Sequence, residues 1–174
     1  YTTLFRSHEY LVDEANDIIK EDIEKSISIF NEKLGKNSKF FSYPFGEYSL
    51  NFIDIVKTLN FKDAFGQHSG VMDETKNLYE LPRFPINEKY GEIKRFKTIV
   101  NSYPLEYKRL TPLKKKLNKQ NNPPIFSVEF FEVQKNIGNI TCYSNEGNKW
   151  EKSNTKFTNN TLSIKFREAF LPRR

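Results

Sequence analysis

A long amphipathic helix is the feature that most restricts what this chain can fold into. Between Asp13 and Leu34, apolar residues recur every three or four positions, which places them on one stripe of a helix. The members of this predicted stripe are Ala15, Ile19, Ile23, Ile27, Phe30 and Leu34. Asp13 is suited to cap the start of the helix, and Gly35 is suited to the left-handed position that ends it.

Short strands and a second helix follow in an alternating order. The run KFFSYPFGEYS favours a strand broken by Pro44 and Gly46, and Ser49 is suited to cap a helix with Leu50, Ile53, Val56 and Leu59 on one side. A further strand is predicted at DAFGQ. This order predicts parallel strands joined by crossover helices, an α/β arrangement in which the loops after the strands carry the functional site.

The chain changes character after LKKKLNKQNNPP. A third loop, LPRFPINEKYG, precedes it, as does a predicted helix over 92–101 with Ile93, Phe96 and Ile99 or Val100 facing inward. Beyond it, Ile125 to Phe131, Ile137 to Tyr143 and TLSIKF have the composition or alternation of strands. We therefore expect a small antiparallel β module over 125–174, joined by a linker over 113–124.

Charge and cysteine content limit the classes of function. The formal charge is +6, but much of the excess lies between Lys94 and Lys119, where Pro104 and Pro112 interrupt the run. Such a run is typical of a solvated connection, so no nucleic-acid partner is expected. One cysteine excludes an internal disulfide, and no segment has the apolar length of a membrane span.

Four segments together resemble a known family. SHEYL before the long helix, FFSYPFGEYS, FKDAFGQHSG and LPRFPINEKYG are similar, in order and spacing, to the later part of the polysaccharide deacetylases of carbohydrate esterase family four. The likeness is greatest to the bacterial branch that acts on exopolysaccharide N-acetyl groups, and it extends from about His8 to Tyr107. It implies a partial (β/α) barrel over 8–112 and an N-acetylated polysaccharide or oligosaccharide as substrate.

The resemblance also implies a divalent metal, taken as zinc, held by one Asp and two His. His8 matches the later of the two His ligands, whereas the earlier one would fall at Leu4 and the Asp pair further upstream. Tyr1 to Ser7 back-translate as a short-read sequencing adapter, so we interpret 1–7 as an artefact. Because these ligands are missing, the chain is expected to be inactive by itself. The implied substrate lies outside the cytoplasm, so the protein is expected to work in the periplasm, the cell envelope or outside the cell.

The resemblance assigns roles to the loop residues as well. It implies that the Phe45 backbone holds the oxyanion, beside Tyr43 and Pro44 as substrate contacts. Many family members have an Arg where Ser42 stands, and Arg83 is the natural substitute to orient the catalytic carboxylate. His68 is a candidate general acid or a rim contact to sugar, next to Gln67 as a substrate contact.

Two alternatives stay open from the sequence. A non-catalytic carbohydrate-binding or polysaccharide-assembly protein would keep the half-barrel and the β module without the metal centre. In the β module, Tyr143, Trp150 and Phe157 form either a sugar-stacking face or a core, and we predict a core because a small β module needs aromatic bulk.

Overall fold

The computed structural model describes residues 16–114, 117–131, 139–146 and 149–171. Two compact units divide the chain, Tyr1–Leu105 and Glu106–Arg174. The first contains all the helices longer than one turn that lie among the described residues, and the second is built from strands. No helix in the described ranges has the length and apolar character needed to cross a membrane.

Helix α1 spans Asn16–Leu34 and confirms most of the predicted stripe. Ile19 and Ile23 are buried, and Ile27 packs against the same core. Gly35 has a φ of 64° and its N–H donates to the Asn31 carbonyl at 2.7 Å, so it ends the helix as predicted. Leu34 is exposed, so its prediction as a member of the buried stripe is wrong. The predicted cap, Asp13, lies outside the described residues.

A β–α–β unit follows α1. Strand β1 (Phe40–Ser42) leads through one 3₁₀ turn, Pro44–Gly46, to helix α2 (Leu50–Thr58), and strand β2 (Asp63–Phe65) then pairs parallel to β1. The Ser49 hydroxyl accepts a hydrogen bond from the Phe52 N–H at 3.1 Å, so the predicted cap is confirmed. The predicted parallel strands and crossover helix are confirmed as well.

The core of the first unit is rich in aromatic rings. Its side chains come from α1, α2 and the two parallel strands with the segments beside them. The buried members are Ile19, Ile23, Tyr43, Tyr48, Phe52, Ile53, Val56, Phe61 and Ala64. Leu50 was predicted to face this core but is exposed, because the buried face of α2 is centred on its Phe52, Ile53 and Val56 side.

Helix α3 (Ile93–Val100) forms where predicted but does not bury the predicted residues. Ile93, Phe96 and Val100 are all exposed, and Ile99 is half-buried. The prediction that this face points inward is therefore wrong for the described part of the chain. Periodicity identified the apolar face of α3 correctly, but no described element packs over that face.

The second unit contains a four-stranded antiparallel sheet. Its strands are β3 (Arg109–Thr111), β4 (Phe126–Glu129), β7 (Asn154–Thr158) and β8 (Thr161–Lys165), in the spatial order β3-β4-β8-β7. Asn159 and Asn160 connect β7 to β8 with φ values of 47° and 60°. Two consecutive left-handed residues give the tight hairpin turn that matches strand twist, and asparagine tolerates that conformation.

A two-stranded ribbon completes this unit. Strand β5 (Tyr143–Ser144) pairs antiparallel with strand β6 (Glu151–Lys152). The core formed by Val128, Phe130 and Leu162 lies under the larger sheet. Tyr143, Trp150 and Phe157 are exposed, so the predicted aromatic core of the module is wrong.

The boundary between the units differs from the predicted one. Strand β3 pairs with β4, so it belongs to the second unit and not to the segment 8–112 assigned to the barrel. The predicted linker over 113–124 falls between these paired strands. Asn122 also forms two hydrogen bonds of 2.8 Å with the backbone N–H and carbonyl of Phe170, which ties this segment to the second unit.

The fold class is therefore mixed. The first unit has helices with a parallel strand pair, and the second has small antiparallel sheets, as the α/β prediction followed by a β module requires. The described residues contain no closed barrel. The partial (β/α) barrel consequently stays a prediction from the resemblance.

Candidate functional site

Three loops leave the same edge of the parallel strands in the first unit. Strands β1 and β2 run parallel, and Phe65 also forms a parallel bridge with Leu81. The segments starting at Tyr43, Gly66 and Pro82 thus follow the carboxyl ends of neighbouring extended segments. In parallel sheets this edge is where ligand sites occur.

Backbone contacts hold the three loops together. The Tyr43 N–H donates to the Phe65 carbonyl at 3.0 Å, and the Arg83 N–H donates to the His68 carbonyl at 3.0 Å. Gly46 lies so close to Gln67 that a Cβ at position 46 would come within 2.2 Å of the Gln67 Cβ. The structure therefore brings the predicted residues of all three loops into one cluster.

Phe45 occupies the tip of the first loop. Its φ of 53° is left-handed, and its side chain is 60% exposed. Hydrogen bonds on either side close the turn, from the Gly46 N–H to the Tyr43 carbonyl at 2.9 Å and from the Glu47 N–H to the Pro44 carbonyl at 3.1 Å. A non-glycine residue in this conformation costs about 1 kcal/mol, so the surrounding turn must hold it there.

Arg83 contacts the position that it was predicted to replace. Its Nη1 donates to the Ser42 Oγ at 2.5 Å, at the last residue of β1. The Arg83 guanidinium therefore lies beside Ser42, the position at which many members of the family that the chain resembles have an arginine. The role assigned to Arg83, orienting a catalytic carboxylate, stays a prediction.

The loop that carries Arg83 is held by a second arginine. Arg95 Nη1 donates to the carbonyls of Pro85 and Tyr90 at 3.2 and 3.0 Å, and its guanidinium lies 5.4 Å from the centre of the Tyr90 ring. Arg95 was not among the predicted site residues, because nothing near it in the sequence indicates a partner ten positions away. The sequence analysis also missed the bridge at Leu81, for which an apolar residue directly before Pro82 was an available signal.

Tyr43 has a different place from the one predicted. Its side chain is 1% exposed, its hydroxyl donates to the Tyr79 carbonyl at 3.1 Å, and its ring lies 4.5 Å from that of Tyr48. Burial, with the neighbouring tyrosine and acidic groups, raises the pKa of Tyr43 well above its usual range. The Tyr43 side chain belongs to the core, so any contact between Tyr43 and substrate would come from the Tyr43 backbone.

Pro44, Gln67 and His68 lie at the surface of the cluster. Pro44 is half-buried, whereas Gln67 and His68 are exposed. The His68 ring lies close to Gly66: a Cβ added at position 66 would come within 2.8 Å of His68 Nδ1. Glycine at position 66 therefore permits this orientation of the imidazole, and the roles assigned to Gln67 and His68 stay predictions.

The described residues do not provide a metal site by themselves. Among them, no group of three or more His, Cys, Asp or Glu side chains is arranged to hold an ion. His8, the predicted ligand, lies outside the described residues. A metal at this edge would need ligands from elsewhere, because a catalytic metal requires several protein ligands together with open positions.

Part of the chain matches the model of a known protein family. Residues 6–64 match the polysaccharide deacetylase family. The predicted resemblance is thereby confirmed over this range, which is consistent with part of a polysaccharide deacetylase domain. No curated protein and no solved structure matches the chain.

The polysaccharide deacetylase match covers part of the loop cluster. It includes β1, the turn around Phe45, and α2, and it ends at Ala64 inside β2. Gln67, His68 and Arg83 lie beyond it, as does the whole second unit. Of these residues, Gln67 lies against Gly46 and Arg83 donates to Ser42, so both contact the matched range.

Proposed function

We propose that this chain is part of an enzyme that hydrolyses N-acetyl groups on a GlcNAc-type polysaccharide. The family match suggests a deacetylase-type function and hence a polysaccharide substrate. The observation that carries the finer proposal is the meeting of three loops at the edge of the parallel strands, with Arg83 against Ser42. Because such a polysaccharide lies outside the cytoplasm, we propose that the protein works in the periplasm, in the cell envelope or outside the cell.

Each loop has a role in the proposed reaction. Amide hydrolysis adds water to the acetyl carbonyl, forms a tetrahedral oxyanion, breaks the C–N bond and returns a proton to the amine. The backbone at Phe45 would stabilise the oxyanion, since donors fixed in a tight turn need no reorganisation as charge develops. His68, exposed at the rim, would protonate the departing amine, with Pro44 and Gln67 contacting the sugar.

Arg83 would position the catalytic carboxylate. A guanidinium can hold a carboxylate through two parallel hydrogen bonds and favours its ionised form, which is the form that acts as a base. In the proposal this carboxylate and the ligands of a divalent metal, taken as zinc, come from outside the described residues, and His8 is one ligand. The 174-residue chain alone is accordingly proposed to be inactive.

The contact between Arg83 and Ser42 also bears on the non-catalytic alternative. The serine at position 42 favoured a carbohydrate-binding or assembly protein only so long as nothing replaced the missing arginine. Arg83 lies 2.5 Å from the Ser42 hydroxyl, which supports the enzyme proposal over this alternative.

The test compares the chain with a protein that carries the native sequence upstream of His8. Release of primary amine from an N-acetylglucosamine oligomer is measured with zinc present. We expect no release by the 174-residue chain and turnover by the longer protein. Arg83→Ala in the longer protein should lower kcat/KM by about 100-fold, because a misplaced catalytic group costs about that factor.

Arg109→Ala serves as the matched control, since Arg109 is exposed on β3 in the second unit. Its kcat/KM should stay at the wild-type value. Deacetylation by the 174-residue chain would contradict the proposed inactivity. An inactive longer protein whose upstream sequence lacks Asp and His ligands would overturn the enzyme proposal and support the non-catalytic alternative.

A further inference from the structure

The segment that carries Arg83 is held at its start by the parallel strands of the first unit. Leu81 forms a parallel bridge with Phe65, and the Arg83 N–H donates to the His68 carbonyl at 3.0 Å. Beyond Arg83, no residue from 84 to 92 belongs to a helix or strand. The far side of Arg83 is therefore fixed by turn and side-chain contacts and not by strand pairing.

A compact turn follows in the same segment. The Tyr90 N–H donates to both the carbonyl and the side-chain Oδ1 of Asn87, at 3.0 and 2.9 Å. Gly91 fits tightly here, because an added Cβ would come within 2.7 Å of the Asn87 carbonyl oxygen. The carbonyls of Pro85 and Tyr90, at the two ends of this turn, both accept from Arg95 Nη1, at 3.2 and 3.0 Å. One guanidinium nitrogen thus closes the segment into a loop.

The position of Arg95 is not explained by the stability of its own helix. Arg95 is the third residue of α3, whose first turn contains no acidic residue. A positive charge in the first turn of a helix is opposed by the helix dipole. The Arg95 guanidinium lies instead against the loop, 5.4 Å from the centre of the Tyr90 ring. An arginine at this position therefore stabilises the loop and not the helix.

Apolar burial does not account for the contact between α3 and the loop either. No side chain of α3 is buried, and Ile93, Phe96 and Val100 are exposed. Arg95 is half-buried, as is Ile99. The effect of Arg95 on the loop consequently comes from its two hydrogen bonds and its contact with the Tyr90 ring.

We propose that Arg95 is a positioning residue for Arg83 in the deacetylation reaction. Arg95 fixes the Pro85 carbonyl, two residues after Arg83, and the bond to the His68 carbonyl fixes the Arg83 N–H. With the backbone held on both sides, the Arg83 guanidinium reaches Ser42 at the end of β1. The catalytic part of this inference rests on the proposed function, whereas the effect of Arg95 on the loop does not.

Hydrogen exchange in the 174-residue chain, measured by NMR at single amides, tests the effect on the loop without an activity assay. The Arg83 and Tyr90 N–H groups report on the loop. The Ala64 N–H, which donates to the Leu78 carbonyl at 2.8 Å, reports on the parallel strands. Arg95→Met keeps an apolar stem and removes the donors. Exchange at Arg83 and Tyr90 should become about tenfold faster, the factor for a hydrogen bond from a charged donor, with exchange at Ala64 unchanged.

Two further variants are compared with Arg95→Met. Lys94→Met is the matched control, because Lys94 is the exposed neighbour of Arg95 on α3 and carries the same charge. It should leave exchange at all three amides at the wild-type rate. Arg95→Lys should restore slow exchange in part, since an ammonium group can donate to the carbonyls but lacks the planar group that stacks on Tyr90.

Deacetylation by the protein with the native upstream sequence tests the positioning role. Arg95→Met should lower kcat about tenfold and leave KM unchanged, because a displaced catalytic group affects the transition state more than substrate binding. Arg95→Lys should recover part of this loss, and Lys94→Met should keep the wild-type kcat. Arg83→Ala combined with Arg95→Met should lose no more activity than Arg83→Ala alone, because Arg95 acts through Arg83.

Three results would overturn the inference. The first is equally accelerated exchange at Ala64, which would mean a general loss of stability. The others are equal effects of Arg95→Met and Lys94→Met, and additive losses of activity in the double variant. If the wild-type longer protein does not deacetylate while exchange changes as expected, the proposed function fails and the effect of Arg95 on the loop stands.

Discussion

Gly46 shows how one residue allows two loops of the candidate site to meet. Its φ is 70°, and an added Cβ would come within 2.2 Å of the Gln67 Cβ and 2.5 Å of the Gln67 N. Gly46→Ala therefore adds a backbone clash to conformational strain. We expect a loss of about 2–4 kcal/mol in the free energy of unfolding, measured by urea denaturation with circular dichroism at the helix signal.

Gly35→Ala is the matched control for this prediction. Gly35 has a similar φ of 64°, but an added Cβ would meet nothing within 4 Å. Only the conformational strain applies, so the loss should be about 1 kcal/mol. Equal losses for the two variants would show that Gly46 does not hold the loops in contact.

Glu146 makes the second unit sensitive to acid. Burial opposes ionisation of this carboxyl, but hydrogen bonds from Arg167, from backbone N–H groups and from Ser144 outweigh it and lower the pKa from 4.5 to about 2. A pKa that is lower in the folded state stabilises the protein above the unfolded value. This stability should be lost as the pH falls from 4.5 to about 2.

Glu146→Gln should remove most of that pH dependence and cost about 2 kcal/mol at pH 7, the value of hydrogen bonds to a charged group. Urea unfolding followed by Trp150 fluorescence at several pH values measures both effects. Glu129→Gln is the comparison, because the hydrogen bond from Lys108 also lowers the pKa of the Glu129 carboxyl, but this pair is partly exposed to solvent. Glu129→Gln keeps Glu146 and should therefore keep most of the pH dependence, so a pH dependence in Glu146→Gln that is as steep as in Glu129→Gln would contradict the assignment.

Residue-level predictions succeeded where the signal was local. The cap at Ser49 and the left-handed Gly35 depend on neighbours within four positions, and both are confirmed. Tyr43 could not be placed in this way, because its burial depends on rings from α2 and on the Tyr79 carbonyl 36 positions away. The sequence placed Tyr43 beside the loop but could not show which way its ring points.

Among the helices, α2 and α3 show what periodicity can and cannot predict. Both have a regular apolar face, yet α2 buries Phe52, Ile53 and Val56 while the face of α3 is exposed. Periodicity shows which residues share a face, whereas burial depends on another element lying opposite. That second condition is a property of the tertiary structure.

This contrast can be measured by substitution. Ile53→Ala in α2 should cost about 2–5 kcal/mol, because it leaves a cavity in the core. Phe96→Ser in α3 should change the free energy of unfolding by less than about 0.5 kcal/mol, as at other exposed positions. Urea denaturation followed by circular dichroism compares them, and a loss above about 2 kcal/mol for Phe96→Ser would mean that the α3 face is covered.

For the whole molecule, the sequence predicted the order of helices and strands better than the division into units. The parallel pairing of β1 and β2 was predicted from that order and is confirmed. The boundary was placed after β3 because LKKKLNKQNNPP has the composition of a linker. Polar, Pro-containing segments also connect strands inside a unit, and the pairing of β3 with β4 shows that this one does.

The site was predictable to the extent that the resemblance reached it. Its order of segments placed Ser42, Phe45, His68 and Arg83 at one edge, and the structure brings their segments together. The contacts that hold the loops, from Arg95 to Pro85 and Tyr90, could not be predicted, because an isolated arginine in a basic helix has many possible partners.

The paired hydrogen bonds between Asn122 and Phe170 have a consequence for proteolysis. The Asn122 amide engages both the N–H and the carbonyl of Phe170, 48 positions later in the chain. A carboxypeptidase must detach a residue from such contacts before it can cleave there. Progressive digestion should therefore slow at Phe170, and Asn122→Ala should let trimming continue toward β8.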